Sequence, residues 1–256
     1  MYRANRLSVA LLAIAGVSAT YAQADHLQGL IAEFRNDESF SEQLRAGERI
    51  AELADPRALV ALEPWLRHED RHVRGNVAFV YAKLGDPRGF STLVDILDDF
   101  SASRRVEWPG ESLSVGADET EEQAVARYSR SPAWLRTQIR SDRYYAVHLL
   151  GKLRDPRAID VLLPLLSDED INYNVAWALG EIGDERAIPG LIEALSNKRA
   201  LVRSIAINAL VKLRATEARP YIEALLSDPA VPNAGDPIPV SATARTALES
   251  LASEHE

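Results

Sequence analysis

The chain has 256 residues, of which 46% are hydrophobic and 26% are charged, and its formal net charge is −9. These values are ordinary for a soluble globular protein and argue against a disordered chain, which would have fewer hydrophobic residues and a less balanced charge. A surface this acidic repels phosphate backbones, so nucleic acid is not expected as a partner.

The N-terminus has the pattern of a secretory signal peptide. Arg3 and Arg6 precede an apolar run over residues 7–19, and the small residues Ala22 and Ala24 follow it. A membrane anchor is the alternative, but about 13 apolar residues are fewer than the ~20 that a membrane-spanning helix needs. We expect cleavage after Ala22 or Ala24, a periplasmic or secreted location, and no stable membrane insertion after cleavage.

Two properties of the exported protein follow from its composition. Its formal net charge would change from −9 to −11, because residues 1–24 contain Arg3 and Arg6 and no acidic residue. The sequence also has no cysteine, and therefore no thiol for a lipid anchor, a disulfide or a zinc–thiolate site.

A short motif recurs along the remaining sequence, each time after Leu or Ile and before an apolar helical stretch. Its core is Asp, then Pro or Glu, then Arg. Asp is a good N-cap, and Pro suits the first helical position because its missing N–H would have no partner there. Each copy therefore predicts the start of a helix, labelled helix A of a repeat. The copies lie at residues 54–58, 85–89, 154–158 and 183–187.

A second pattern, labelled helix B, follows each helix A. Apolar or small residues stand at offsets 0, 4, 7, 8 and 11, as expected for the buried face of a helix. A degenerate copy over residues 46–53 follows a predicted short helix over residues 27–34, so the array begins with a capping pair and has about six helix pairs. The frames of helix B begin at residues 73, 142, 171, 202 and 240, and the frame from 142 fits more loosely, because Asp142 stands at offset 0.

No single helix pair can bury its own apolar face, so each repeat must stack on its neighbours. The sequence therefore predicts an all-α fold, an α-solenoid (α-α superhelix), over residues 25–256. Two insertions between helix A and helix B interrupt it, at about residues 99–141 and 228–239.

These motifs resemble the short HEAT-like repeats first described in phycobilisome lyases. The resemblance rests on Asp-Pro-Arg-Ala before helix A, Val-Arg at the start of helix B and residues 178–184 at its end, and it covers about residues 40–251. It implies an interaction scaffold, because this repeat family serves mostly in that role and only occasionally as an enzyme framework. It also suggests a bilin lyase, but export would separate such an enzyme from cytoplasmic chromophore proteins.

The first insertion contains two predicted helices, over residues 119–129, with Asp118 or Thr120 as cap, and over residues 132–139 around Trp134. Insertions on one face of a repeat array often mark the binding face, and long loops tend to be functional or disordered. We interpret this insertion as a partly folded flap. A flexible surface excursion is the alternative.

Residues opposite the core face of helix B, at offsets 2, 6 and 9, are expected on the concave surface. Several are aromatic, and the small residues at offset 9, such as Gly151 and Gly180, would leave room for a ligand. We predict a groove for an extended peptide or a partner helix. Burial of the aromatic residues between helices is the alternative. The candidate binding residues are Phe79, Tyr144, His148, Tyr173, Trp177 and Asn208, with Trp108 and Trp134 of the insertion.

Residues 68–72 match the zinc-protease motif in which two His bind the metal and Glu activates water. In the repeat frame they lie between helix A and helix B, so His68 and His72 would not share a helical turn. The pair His68-Glu69 is also similar to the metal-binding pairs of deoxyhypusine hydroxylase, a HEAT-repeat enzyme in which four His-Glu pairs bind two irons. Only His255-Glu256 supplies another pair here.

The sequence thus favours a non-catalytic scaffold for a protein or peptide partner, with no metal or other cofactor and no catalytic residue. The alternative is a metal-dependent hydrolase that uses His68, Glu69 and His72. A row of arginines after the helix A caps is a possible anion site, but its regular period favours ion pairs with neighbouring carboxylates. The row consists of Arg57, Arg88, Arg157 and Arg186.

Overall fold

A computed structural model describes residues 23–36, 39–101, 116, 119–128, 131–233 and 237–253. All regular elements in these ranges are helical, and no strand occurs in them. The fold is an all-α repeat solenoid, as the sequence predicts. Its α-helices in these ranges are α1 (residues 23–36), α2 (Phe40–Glu52), α3 (Arg57–Leu62), α4 (Arg71–Lys83), α5 (Pro87–Asp98), α6 (Glu121–Tyr128), α7 (Pro132–Leu153), α8 (Ala158–Leu162), α9 (Asn172–Ile182), α10 (Ile188–Ala194), α11 (Ala200–Lys212), α12 (Arg219–Glu223) and α13 (Val240–Ser253).

Two of the A helices change from an α-helix to a 3-10 helix at the same point of the repeat. The α-helices α3 and α8 pass directly into the 3-10 helices Glu63–Arg67 and Leu163–Ser167, each of which has a proline at its second position. Proline lacks the N–H that an α-helical hydrogen bond requires, so the helix tightens there. None of the helices in the described ranges is both long and apolar enough to cross a membrane.

The chain divides into two compact units. The first contains the described residues up to His68 together with His72–Phe90, and the second contains Glu69–Arg71 and the described residues from Ser91 onward. In the first unit, apolar side chains from α1 to α4 form a core in which the Tyr81 hydroxyl donates to the Leu59 carbonyl. The core residues are Leu27, Leu30, Ile31, Phe34, Ala46, Ile50, Ala58, Leu62, Val77, Val80 and Tyr81.

In the second unit, the B helices α7, α9, α11 and α13 pack side by side in sequence order. The A helices α8, α10 and α12 pack against α9, α11 and α13 respectively. Most of the core positions that the sequence predicts on these helices are buried, as Val175 and Leu179 show on α9 and Ala206 and Leu210 on α11. Each helix pair therefore covers the apolar face of the next, as stacked repeats require.

The recurring Asp and Arg residues join to start helix A. In the fourth copy, the Asp184 carboxylate accepts hydrogen bonds from the backbone N–H of Arg186 at 2.9 Å and from its side-chain Nε at 3.0 Å. The hydrogen bond from the arginine side chain holds the pKa of this carboxyl below its ordinary value. The same contact, here named the Asp–Arg clamp, joins Asp55 to Arg57, Asp86 to Arg88 and Asp155 to Arg157.

The structure corrects the predicted helix boundary between residues 139 and 142. The sequence suggests one helix over residues 132–139 and a separate helix B from Asp142, whereas the structure has a single helix of 22 residues, Pro132–Leu153. Ser131 caps it, because its hydroxyl accepts a hydrogen bond from the backbone N–H of Trp134 at 3.1 Å. No proline or glycine interrupts residues 139–142, so the helix continues through the junction. Residues 132–141 of the predicted insertion therefore form the first turns of this helix.

Part of the first insertion forms helix α6. Its start is a capping box, in which the Thr120 hydroxyl accepts from the Gln123 backbone N–H at 3.3 Å and the Gln123 side-chain oxygen accepts from the Thr120 N–H at 2.9 Å. Trp134 is only 7% exposed and packs against Tyr128, with 5.5 Å between the ring centroids. The flap prediction also concerns residues 102–115, which lie outside the described residues.

A buried ion-pair network lies where the sequence enters the first insertion. The Arg71 guanidinium donates to the Asp142 carboxylate at 2.9 Å, to Asp99 at 3.0 Å and to the Ser101 carbonyl at 2.9 Å. Burial raises the pKa of Asp99, but hydrogen bonds from Ser101 and Arg71 outweigh it and lower the pKa to about 2. Nearby, Arg143 donates to the Leu97 carbonyl at 2.9 Å and pairs with Asp168 at 2.7 Å. These side chains join the middle of α7 to Arg71 and to the residues at the end of α5.

The second insertion is also tied to a B helix. Asp228, at its start, forms an ion pair of 2.7 Å with Arg203 of α11 and accepts a hydrogen bond from the Ala230 backbone N–H at 3.0 Å. The N–H of Val240, where α13 begins, donates to the Ala230 carbonyl at 3.0 Å. Both described ends of this insertion are therefore held close to one another.

Candidate functional site

The candidate groove lies on α7, α9 and α11 of the second unit. Tyr144 and His148 are four residues apart on α7, and Tyr173 and Trp177 are four residues apart on α9, so each pair shares one helix face. Because α7 packs beside α9, the two pairs meet. We name these four side chains the aromatic cluster.

Two ring contacts join α7 and α9 within the aromatic cluster. His148 stacks on Trp177, with 4.8 Å between the ring centroids and 9° between their planes. Tyr144 and Tyr173 are 5.7 Å apart and inclined by 37°. The Asn174 amide donates to the Tyr144 carbonyl at 2.7 Å and holds the two helices in this register.

The aromatic cluster is partly open to solvent. Tyr144 is 37% exposed, and His148, Tyr173 and Trp177 are half-buried. Burial raises the pKa of the Tyr144 hydroxyl, and the nearby Tyr173 hydroxyl adds to this rise. The rings are therefore held by contacts with each other while part of their surface remains available.

Gly151 and Gly180 do not leave room for a ligand, in contrast to the prediction. Both are buried, and a Cβ added at Gly151 would lie 2.9 Å from Cζ3 of Trp177. A Cβ added at Gly180 would lie 2.8 Å from the Cβ of Ala209. The neighbouring helix occupies this space, so these glycines permit close approach of adjacent B helices.

A pocket of about 390 Å³ lies beside Trp177. Its walls are mostly aliphatic, and the exposed Asn208 and Lys212 supply polar groups at its edge. Lys212 forms an ion pair with Glu181. An apolar side chain in this pocket would contact the flat ring of Trp177 and the aliphatic walls. The residues that line it are Trp177, Ile205, Asn208, Ala209, Val211 and Lys212.

A second pocket, of about 580 Å³, lies beside Tyr173 and has a charged lining. Sequence reasoning missed this pocket. Arg140 is four residues before Tyr144, a spacing that places both on one helix face, but this relation is lost if the helix is predicted to end at residue 139. The residues that line it are Arg140, Glu169, Asp170, Tyr173, Arg199 and Leu201.

Two predicted binding residues are buried and one is not described. Phe79, in the first unit, is only 2% exposed, with the Lys83 ammonium 5.5 Å from its ring centroid. Residues 76–81 are all buried. This stretch of α4 is apolar on nearly all sides, so it has no polar face to turn toward solvent. Trp134 is buried too, and Trp108 lies outside the described residues. Phe79 and Trp134 therefore offer a partner almost no surface.

The zinc-protease motif is divided between two different local structures. His68 precedes α4 and stacks on Trp65 at 5.6 Å, whereas His72 is the second residue of α4 and packs on Phe40 at 4.8 Å. Within the described ranges, no group of three or more His, Cys, Asp or Glu residues is placed to bind a metal. The geometry therefore gives no support to a metal site at His68, Glu69 and His72.

Comparison with known proteins gives both a family and named relatives. The phycocyanobilin lyase subunit alpha of a Picosynechococcus species is 34% identical over 119 residues, 42% of this chain and 42% of the relative. The subunit from a Nostoc species is 34% identical over 131 residues, 47% and 44% of the two proteins. The bilin biosynthesis protein PecE of Nostoc is 37% identical over 87 residues, 33% and 34% of the two proteins. The chain thus spans less than half the length of these curated relatives.

Among solved structures, a designed armadillo repeat protein aligns with 88% of this chain and 99% of its own length, at 18% identity and a TM-score of 0.44. The HEAT repeats family matches residues 27–114, 133–210 and 171–234, which together make up more than half of the chain. The chain therefore belongs to the HEAT repeat family, with repeats similar to those of the phycocyanobilin lyases.

Proposed function

We propose that this protein is a non-catalytic scaffold that is exported to the periplasm or the medium and binds a protein or peptide through the aromatic cluster. The observation that best supports the proposal is the parallel stack of His148 on Trp177 beside an open pocket. Rings that are already held in place lose little conformational freedom on binding, and aromatic anchors often dominate the energy of an interface.

The two pockets suggest an extended peptide as the bound form. They lie beside Tyr173 and Trp177, which are one helical turn apart, or about 6 Å along the helix axis. An extended peptide advances by about 3.3 Å per residue, so side chains two residues apart would reach the two pockets. Alternate side chains of an extended peptide point in the same direction, as this arrangement requires.

The proposal is tested by cross-linking the exported protein in its native cells, identifying the captured partner and measuring its affinity for purified variants. Trp177→Ala and Asn208→Ala should each weaken binding, the former by tenfold or more. Asn208 is exposed, so its variant should keep the stability of the parent. Tyr221→Ala, at a residue 54% exposed outside the groove, is the matched control.

Two results would contradict the groove or the export. If Trp177→Ala lowered the melting temperature while both groove variants retained full affinity, the aromatic cluster would be core only. Recovery of the protein in the cytoplasm with its N-terminus intact would contradict export, for which we expect an N-terminus at Gln23 or Asp25.

Lyase activity is a second candidate function, favoured by the names of the relatives. If this protein acts on a bilin, purified protein mixed with phycocyanobilin should change the absorption spectrum of the pigment. The predicted export argues against this function, because it would separate the protein from cytoplasmic acceptor proteins. A spectrum that stays unchanged, together with capture of a partner that has no bilin, would favour the scaffold.

A further inference from the structure

We infer that the pocket beside Tyr173 binds a single carboxylate of the partner peptide, that of an Asp or Glu side chain. Arg140 and Arg199 would supply the hydrogen-bond donors. This inference rests on the proposed function, since it specifies the chemistry of the segment that the aromatic cluster binds.

Arg199 is held in position before any ligand arrives. Its Nη1 donates to the Glu169 carbonyl at 2.6 Å and to the Asn172 side-chain oxygen at 3.2 Å, and its guanidinium lies 5.4 Å from the Tyr173 ring centroid. The Nε and Nη2 donors have no acceptor among the described residues. These two donors form one edge of the guanidinium, the edge that matches the two oxygens of a carboxylate.

Arg140 supplies a second cation from another helix. It is exposed on α7 and lines the same pocket. Within the described part of the protein it makes no hydrogen bond and no ion pair, in contrast to Arg143 one turn later, which is buried and paired with Asp168 at 2.7 Å. A carboxylate in the pocket would therefore gain a charged donor without breaking an existing pair.

The acidic residues of the pocket determine how much negative charge it accepts. Glu169 is paired with Lys198 at 2.6 Å, and this hydrogen bond lowers the pKa of Glu169. Its charge is thus already compensated. Asp170 remains, so two arginines face one uncompensated acid. A monoanion fits this balance, whereas a dianionic phosphate would leave excess negative charge beside Asp170.

The test begins with a random library of peptides about 12 residues long, enough to extend well beyond both pockets, displayed on phage and selected on the purified protein. Peptides that bind the parent should be enriched in an acidic residue two positions from an apolar or aromatic one. Arg140→Gln and the double variant with Arg199→Gln should lose the acidic preference. Arg136→Gln is the matched control, because Arg136 is an exposed residue one turn earlier on α7 that does not line the pocket.

A selected peptide is then synthesised with Glu, Gln or phosphoserine at the acidic position and compared by fluorescence polarisation. The Gln peptide should bind the parent about tenfold more weakly, as expected for loss of a charge-assisted hydrogen bond. It should bind Arg140→Gln as well as the Glu peptide does. Since Arg140 is exposed, this variant tests the pocket even if Arg199→Gln unfolds the protein.

The other possible outcomes show whether the carboxylate pocket, the proposed groove or both are wrong. Equal binding of Glu and Gln peptides, or tighter binding of the phosphoserine peptide, would overturn the carboxylate pocket. If selected peptides depend on Trp177 but have no acidic preference, the proposed groove stands and this inference is wrong. If no peptide is enriched over a control without protein, both are wrong.

Discussion

At the scale of single residues, arginines with the same chemistry have different roles that their surroundings determine. Arg186 closes an Asp–Arg clamp, Arg71 is buried in an ion-pair network and Arg140 faces a pocket. The sequence predicts the first role, because the partner Asp is two residues away. It does not predict the second, since Asp142 is 71 residues from Arg71 and no local pattern joins them.

Removal of the Asp142 charge should destabilise the second unit. Arg71 and Asp142 are 3% and 2% exposed, so Asp142→Asn leaves a buried guanidinium with less compensating charge. Because Asp99 remains as a partner, we expect the free energy of unfolding to fall by about 3 kcal/mol, the lower end of the range for broken buried pairs. Urea denaturation followed by circular dichroism measures this change.

The control is an exposed ion pair, Arg45 with Glu42 at 2.7 Å. Glu42→Gln should change the free energy of unfolding by less than about 1 kcal/mol, because solvent screens such pairs. Equal effects of Asp142→Asn and Glu42→Gln would show that the buried network contributes little to stability.

At the scale of helices, local patterns identified the elements and longer-range packing determined their limits. The motif that starts helix A and the spacing of apolar residues in helix B depend on near neighbours in the sequence, so the helix pairs could be predicted. The continuity of α7 could not, because the repeat frame of helix B starts only at Asp142. That error also hid the relation between Arg140 and Tyr144 and thereby the charged pocket.

The same limit applies to the aromatic residues. Helical offsets depend only on helix geometry, so they could relate Tyr144 to His148 and Tyr173 to Trp177, whose rings meet between α7 and α9. They misplaced Phe79, because an offset gives a direction but does not show whether that direction faces solvent. Where α4 is buried on all sides, no face remains for a partner.

Substitution of Gly180 should test the close packing of α9 on α11. Replacement of Gly by Ala within a helix usually stabilises it by up to about 1 kcal/mol. Here the new Cβ would lie 2.8 Å from the Cβ and 2.9 Å from the Cα of Ala209, so the helices must separate. We expect Gly180→Ala to lower the free energy of unfolding by about 1–3 kcal/mol, as measured by urea denaturation.

Gly29 is the matched control for this substitution. It lies in α1, and a Cβ added there would have no atom within 4 Å. Gly29→Ala should therefore raise the free energy of unfolding, opposite in sign to Gly180→Ala. A stabilising effect of both substitutions would mean that α9 and α11 have space between them.

At the scale of the whole molecule, one unit of sequence repeated with variations produces both the core and the distribution of charge. Each Asp–Arg clamp neutralises a carboxylate at the start of a repeat, so part of the acidic composition is compensated locally. The lowered pKa values of Asp55, Asp86, Asp155 and Asp184 share one cause, the hydrogen bond from the arginine two residues later. The stability of the protein should therefore respond to acid through several repeats at once.

Acid should destabilise the protein below about pH 4. A carboxyl whose pKa is lower in the folded than in the unfolded state stabilises the fold fully above its unfolded pKa, about 3.9 for Asp, and this contribution is lost as the pH falls through the folded value. For Asp99 the folded pKa is about 2, so its contribution disappears between about pH 4 and pH 2. Urea denaturation at about pH 7, 4 and 3 measures the decline, and Asp99→Asn should reduce its slope. Equal stability at about pH 7 and pH 3 would contradict this prediction.

The unbroken course of α7 determines how a shortened version of the protein has to be designed. An engineer who removes the first insertion at residue 141 would also delete about three turns of a helix that continues into the core. The remaining part of α7 would lack both the Ser131 cap and Arg140. Making the junction ahead of Ser131 instead keeps the helix start, and the pocket arginine, in the truncated protein.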